Sequence, residues 1–359
     1  MTAWKTVQLG EVCTLQRGMD LPKRLRHDGE FPLVTSSGID GTHSVGPVKG
    51  PGVITGRYGT IGKVFFVEPD FWPLNTTLYV RDFHGNDVRF VHYLLQTVDF
   101  QSHSGKSGVP GVNRNDIHQE FVQIPVDRTE QERIAQSLLD ADVLIDSLEQ
   151  LLTKKRQIKQ GAMQELLAGR RRLSGFTGEW KTASLGQVAK VKTGAMNNQD
   201  KVEDGEYPFF VRSQSVERID AFTHDCEAIL VPGEGGIGSI FHYIKGRFAL
   251  HQRVYGVTDF SDSVSGRFLY FYMQVFFGAH AMENSVKATV DSLRLPTFLD
   301  FEVRMPPTKN EQNAIVEVLS DIESEVESLE SRLSKARDLK QAMAQVLLTG
   351  RIRLLENAA

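Results

Sequence analysis

Apolar side chains recur at Ile134, Leu138, Ala141, Ile145, Leu148 and Leu152, separated by steps of 4, 3, 4, 3 and 4 residues. The same steps separate Ile315, Leu319, Ile322, Val326, Leu329 and Leu333. A 4-3 alternation keeps one face of a helix apolar along its length, while charged residues fill the remaining faces. Each run begins after proline (Pro125; Pro306 and Pro307) with an acidic first turn, and ends at Gly169 or Gly350 beside basic residues. These are helix start and stop signals. They predict two helices of about 40 residues, each ~60 Å of rod. A solvent-rimmed core helix would show the same face, but no globular core in a chain of this size needs a helix so long. The two matched seams are satisfied most simply by each other, as a coiled coil.

Ahead of each long helix the pattern changes to short apolar or β-branched runs broken by glycine. Examples are Gly52-Val53-Ile54-Thr55, Lys63-Val64-Phe65-Phe66-Val67 and Thr77-Leu78-Tyr79-Val80. They predict strands joined by turns. A helical stretch follows at about Val88–Val98, with an aromatic-rich counterpart at about Gly266–Phe277. A mixed α/β globule of ordinary domain size is expected before each rod.

The two globule-plus-rod segments are copies of one unit. Trp4-Lys5-Thr6 and Leu9-Gly10-Glu11-Val12 return as Trp180-Lys181-Thr182 and Leu185-Gly186-Gln187-Val188, an offset of 176 residues. Gly29-Glu30-Phe31-Pro32 matches Gly205-Glu206-Tyr207-Pro208, and Gly59-Thr60-Ile61-Gly62 matches Gly235-Gly236-Ile237-Gly238 in the same frame. At Glu130-Gln131 against Glu311-Gln312 the offset has grown to 181, as small loop insertions would produce, and it stays there through Leu166-Leu167-Ala168-Gly169-Arg170 against Leu347-Leu348-Thr349-Gly350-Arg351. So long a period excludes a solenoid.

A length of 359 residues fits two or three domains, and 40% hydrophobic with 24% charged residues suits a soluble globular protein. No apolar run approaches the length that spans a bilayer, and Met1–Gly10 lacks the core of a secretory signal. Cys13 and Cys226 are too few for a disulfide framework or a zinc site, so a reducing cytoplasm is expected, with each thiol a small core filler. The net charge of −4 is awkward for a lone nucleic-acid binder, but a sum conceals patches, and partner subunits can neutralise phosphate. Composition therefore leaves nucleic-acid binding undecided.

Trp-x-x-x-x-Leu-Gly-x-Val opens each globule, proline precedes a helix beginning Glu-Gln, and Leu-Leu-x-Gly-Arg-x-Arg-Leu closes it. Two ordered copies of this arrangement resemble the DNA-specificity subunits of type I restriction-modification systems, over essentially the whole chain. The resemblance implies an α+β protein with an internal pseudo-two-fold repeat. Target-recognition globules at 1–127 and 180–308 would each be followed by a long helix, at 128–170 and 309–354. A linker would occupy 171–179 and a tail 355–359. The helices would pack as an antiparallel coiled coil that sets the spacing between two half-sites. The implied partners are double-stranded DNA, two methyltransferase subunits, and restriction subunits in the full complex. S-adenosylmethionine, ATP and Mg²⁺ would reside in those partners and none in this chain, which would be non-catalytic.

Base readout needs side chains such as Arg, Asn, Gln, Ser or Thr on loops that enter a groove, and phosphate contacts need cations or backbone amides. Four loops in each copy qualify. In the first copy they supply Ser36 and Ser37; Arg57, Tyr58 and Lys63; Asn75 and Thr76; and Lys106, Ser107, Asn113 and Arg114. The second copy supplies Arg212, Ser213 and Gln214; Ser239; His251, Gln252 and Arg253; and Lys287, Thr289 and Arg294. Glycine turns and solvated loops would look alike, and His251 is equally consistent with a satisfied strand-end histidine. Acidic Glu234 weakens phosphate contact in its loop, although glutamate can accept from cytosine. The basic runs Lys154-Lys155-Arg156 with Lys159, and Lys335 with Arg337 and Lys340, are expected on solvated helix faces.

Two other function classes fit the residues less well. A methyltransferase needs an Asn/Asp-Pro-Pro-Tyr/Phe motif, but Pro306-Pro307 lies between Met305 and Thr308. Neither a Mg²⁺-binding acidic cluster nor a nucleophilic triad can be assembled. A protein-binding scaffold agrees with the negative charge but leaves the paired basic glycine loops without a purpose.

Overall fold

The computed structural model describes residues 3–104, 111–236, 238–283 and 292–354. The chain folds as two compact units, each built from one globule and portions of both long helices: residues 1–149 with 331–359, and residues 150–330.

In the first unit, Trp4–Gln8 pairs antiparallel with Phe121–Pro125, bringing the start of the globule to the start of the long helix Arg128–Leu167. A four-stranded antiparallel sheet follows the order Thr14–Arg17, Thr77–Asp82, Gly52–Gly56, Val64–Val67. A smaller sheet joins Gly38–His43, Phe31–Thr35 and Trp72–Pro73. The helix Val88–Leu95 ends sooner than its apolar pattern suggested, and Asp87 caps it by accepting from the Phe90 amide at 2.8 Å. Its inner face enters a core with Leu9, Val12, Leu15, Val53 and Leu78. Cys13 is fully buried there, and burial pushes its thiol up to about 12. Cys226, in the second unit, is only half-buried.

The second unit repeats this plan with wider sheets. Lys181–Ser184 pairs with Glu302–Met305. Six strands follow the order Lys190–Thr193, Val254–Thr258, His224–Pro232, His242–Leu250, Tyr207–Phe210, Val216–Ile219. The helix Gly266–Glu283 runs beyond its expected end because Phe277 and Ala281 continue its buried face, with Phe277 packed on Phe298 and Phe301 at 4.9 and 5.1 Å.

The helices Arg128–Leu167 and Lys309–Leu347 run antiparallel in both units. In the second unit Lys155 pairs with Glu325, Arg156 with Glu330 at 2.7 Å and Lys159 with Glu323 at 2.8 Å. In the first, Arg337 pairs with Glu149 at 2.6 Å and Lys340 with Asp142. These basic residues thus bridge to the opposite helix while Arg156 and Arg337 stay exposed, so the faces are solvated as expected and cross-linked as well. Of the seam, Ile145, Leu148, Leu152, Val326, Leu329 and Leu333 are buried between helices, and Ile322 is half-buried. Ile134 and Leu138, and likewise Ile315 and Leu319, belong to the globule cores. The bland alternative therefore holds for the first two positions of each seam and the coiled coil for the rest. Each buried leucine or isoleucine contributes roughly 1.5–3 kcal/mol.

The Glu-Gln pair that opens each helix ties it to its globule. Gln131 donates to the Pro125 carbonyl at 2.9 Å and accepts from the Asp87 amide at 2.9 Å. Gln312 donates to the Pro306 carbonyl at 3.3 Å and accepts from Ser265 at 2.8 Å. Glu130, 1% exposed, receives Arg353 Nε at 2.5 Å, Arg353 Nη2 at 2.6 Å and Trp4 Nε1 at 3.2 Å. Glu311, also 1% exposed, receives Arg172 Nε at 2.9 Å and Nη2 at 2.6 Å. Gly350 turns at φ +69° directly under the Trp4 ring, and Gly169 at φ +68° under Trp180.

A pH dependence follows from His92, on the inner helix of the first unit. Burial holds its imidazole down at about 4; Asp142 opposes this, and Lys340 and Arg89 reinforce it. The unfolded chain binds this proton near 6.5, so stability is full above that pH and falls as pH drops from about 6.5 towards 4. His92→Gln is expected to shrink the fall in melting temperature between pH 7 and pH 5. An unchanged profile would assign the acid sensitivity to other groups.

Candidate nucleic-acid interface

In the first unit the register of two strands brings cations together. Gln16 lies opposite Tyr79 and Arg17 opposite Leu78, and Arg81 Nη1 donates to Gln16 Oε1 at 3.1 Å. The loop after Gly52–Gly56 joins them: the Arg57 amide donates to the Thr76 carbonyl at 2.8 Å, and Val112 donates to the Arg57 carbonyl at 3.0 Å. Gly56 is required here, because a Cβ would lie 1.7 Å from the Thr60 carbonyl oxygen. Asn113 caps the short helix Arg114–His118 by accepting from Asn115 at 3.1 Å, which fixes Arg114 at the rim. Burial and Arg114 hold the His118 imidazole below its ordinary range, so its Nε2 accepts from the Leu15 amide at 2.8 Å and anchors the strand that carries Gln16 and Arg17.

The result is a hollow of about 600 Å³ walled by Arg17, Arg57, Arg81 and Arg114, with Gln16, Tyr58 and Asn113, and no carboxylate among its lining residues. The Arg57 guanidinium stacks over the Tyr58 ring at 4.4 Å. Ser36 and Thr76 adjoin it, since the Ser36 amide donates to Thr76 Oγ1 at 3.4 Å. Ser37 is tied to Thr35 at 2.9 Å and Asn75 donates to Asp20. Lys63 is exposed and does not line the hollow.

The second unit builds the same backbone and fills it differently. Gly233 donates to the Arg253 carbonyl at 2.9 Å, Leu293 donates to the Gly233 carbonyl at 2.8 Å, and Glu234 bridges to Ser292 as Tyr58 does to Gly111. Arg212 Nη1 lies 3.2 Å from Glu234 Oε2, and Arg253 pairs with Glu234 Oε1. Arg212, Ser213, Asn198, Glu217 and Glu234 line a hollow of about 440 Å³. Gln214 is exposed, Gln252 donates to Asn197 Oδ1 at 2.5 Å, and Ser239 donates to the Gly236 carbonyl at 2.7 Å. Arg294 is exposed at the start of the helix Leu295–Leu299.

His251 is corrected to a structural histidine. It is 5% exposed, packs on Phe209 and accepts from the Arg253 amide at 3.1 Å, with burial and then Arg212 and Arg253 holding its imidazole below the ordinary range. Lys106, Ser107, Lys287 and Thr289 lie outside the described residues. Gln16, Arg17 and Arg81 also line the hollow but stand on strands, outside the loops expected to supply the contacts.

Among the described residues no three His, Cys, Asp or Glu side chains converge to hold a metal, and no helix is long and apolar enough to cross a membrane.

Residues 1–160 and 177–336 each match the family model described as the type I restriction modification DNA specificity domain. The specificity subunit of the type I restriction enzyme EcoDI from Escherichia coli is 31% identical over 171 residues, which are 48% of this chain and 37% of that protein. The chain thus matches little more than a third of that relative's length. In fold it is similar to the type I restriction-modification S subunit from M. genitalium, with a TM-score of 0.73 at 14% identity over 97% of this chain and 96% of that one. A chain from a structural study of complex assembly and conformational transition in the type I R-M system gives 0.54 at 17% identity, over 97% and 98%. With both copies matched by one family model and the two-copy fold shared, the chain belongs to the type I restriction modification DNA specificity domain family.

Proposed function

We propose that this chain is the DNA-reading subunit of a type I restriction-modification complex. Each unit reads one half of an asymmetric, bipartite site, and the chain brings two methyltransferase subunits, and restriction subunits in the full complex, to that site. It catalyses no reaction itself, acts in the cytoplasm, and leaves S-adenosylmethionine, ATP and Mg²⁺ to its partners. The observation that carries this reading is one loop scaffold presenting two chemistries: four arginines around Tyr58 in the first unit, and two arginines around Glu234 in the second. A duplicated frame with unlike side chains at matched positions suits a duplex site with unlike halves. The negative total charge is compatible with it, because the arginine-walled hollow concentrates positive charge where phosphate or guanine would lie.

The test is to co-express the chain with the methyltransferase encoded beside it in an unmethylated host, and to map adenine methylation by single-molecule sequencing. The expected result is a two-part motif with a fixed gap, absent without this chain. Exchange of residues 1–127 for those of a relative should change one half only. Methylation that appears without the chain, or a continuous motif, overturns the proposal. Co-purification with no methylation turns the reading towards a protein scaffold.

A further inference from the structure

We propose that Glu234 is a base-reading residue of the second unit, and that it accepts a hydrogen bond from the exocyclic amino group of a cytosine in the major groove. This rests on the DNA-reading function above and adds to it a residue and a base.

Position comes first. The backbone bonds that seat Tyr58 at the arginine-walled hollow are repeated around Glu234, through Arg253, Leu293 and Ser292. One scaffold therefore holds one variable side chain at the same place in each unit, a tyrosine in the first and a carboxylate in the second.

A lone carboxylate beside a polyanion is repelled, but Glu234 stands between Arg212 and Arg253, so the trio carries one net positive charge. Each carboxylate oxygen has two acceptor positions, and each arginine occupies one oxygen, which leaves acceptors on both. At 21% side-chain exposure the carboxylate remains within reach from outside. The neighbouring Glu217 is taken by Lys201 at 2.6 Å. Among the base edges of the major groove, guanine offers only acceptors and thymine a carbonyl and a methyl. Adenine sets the N7 lone pair beside its amine, whereas cytosine presents its amine beside a C–H. A carboxylate is matched to cytosine and disfavoured by the other three. The flanking arginines, about half exposed, suit the O6 and N7 of a guanine or an adjacent phosphate.

The test maps methylation motifs directed by the full chain, assembled with its methyltransferase, as wild type, Glu234→Gln and Glu234→Ala. The wild-type motif is expected to contain a C·G pair in one half. Glu234→Gln should reduce the preference for cytosine at that one position about tenfold and admit adenine, which a carboxamide can bind through both N6 and N7. Glu234→Ala should leave that position degenerate. An unchanged second half and gap would report that folding and assembly are intact. A uniform fall in methylation with the motif unchanged would make Glu234 a positioning residue for its arginines and overturn the inference. So would a wild-type motif without C·G in the affected half, or loss of all methylation by both variants in a complex that still co-purifies. If the wild type itself directs no motif, the DNA-reading function fails instead, before any substitution is made.

Discussion

Alanine at both Arg57 and Arg114 is expected, on the proposed DNA-reading function, to weaken binding of the assembled complex to duplex carrying its methylation motif by about a hundredfold. Both side chains wall the hollow of the first unit, and no carboxylate among its lining residues offsets them. An arginine contact to a phosphate or a guanine is worth ~1–3 kcal/mol, and two such contacts near the lower half of that range give ~3 kcal/mol, or about two decades in Kd. Arg57 rests on the Tyr58 ring and Arg114 is exposed, so the unfolding midpoint should scarcely move. Titration at several salt concentrations separates the two kinds of contact. Loss of phosphate contacts flattens the salt dependence, whereas loss of base contacts relaxes the motif in one half. A Kd equal to wild type at every salt concentration would remove the hollow from the interface.

Arg353→Ala should destabilise the first unit by about 3 kcal/mol, read as a shift in urea midpoint at constant slope. The substitution strips a carboxylate that is 1% exposed of a two-pronged guanidinium, while Trp4 Nε1 still donates to it at 3.2 Å. Uncompensated buried charge typically costs ~3–5 kcal/mol. Arg353 is itself 27% exposed, so water fills part of its place and the lower end applies. Glu130→Gln keeps the shape and removes the charge, and the double substitution should cost less than the sum of the single ones. A loss below about 1 kcal/mol would show the clasp to be screened like an ordinary surface pair.

The long helices were legible because a 4-3 apolar period is a local property, and burial of Ile145, Leu148, Val326 and Leu329 follows from it. That Ile134 and Ile315 pack in globule cores was not legible, since the seam runs unbroken through them. Strand positions could be read from short apolar runs broken by glycine, but pairing could not. Arg17 meets Arg81 only because Thr14–Arg17 lies beside Thr77–Asp82, strands some sixty residues apart in sequence. The loops around Arg57 and Arg114 could be picked out by their cations and glycines. From sequence Glu234 weakens phosphate contact yet could accept from cytosine; its pairing with Arg212 and Arg253 was not legible, because those residues are remote along the chain. His251 could not be assigned from sequence, because only the fold puts Phe209 against its ring.

The glutamate clasps cross between the copies. Arg353 belongs to the second repeat and closes on Glu130 of the first, while Arg172 of the first closes on Glu311 of the second. A solitary repeat would hold a socket without its plug and a plug without its socket. It could complete itself only by exchanging helix ends with a twin, as a domain-swapped dimer. Fusion of two repeats makes that exchange intramolecular, so it no longer depends on protein concentration. Tandem duplication also lets one half of the gene mutate without the other. The clasp thus makes each globule depend on the other copy's helix end while leaving the two globule sequences free to diverge.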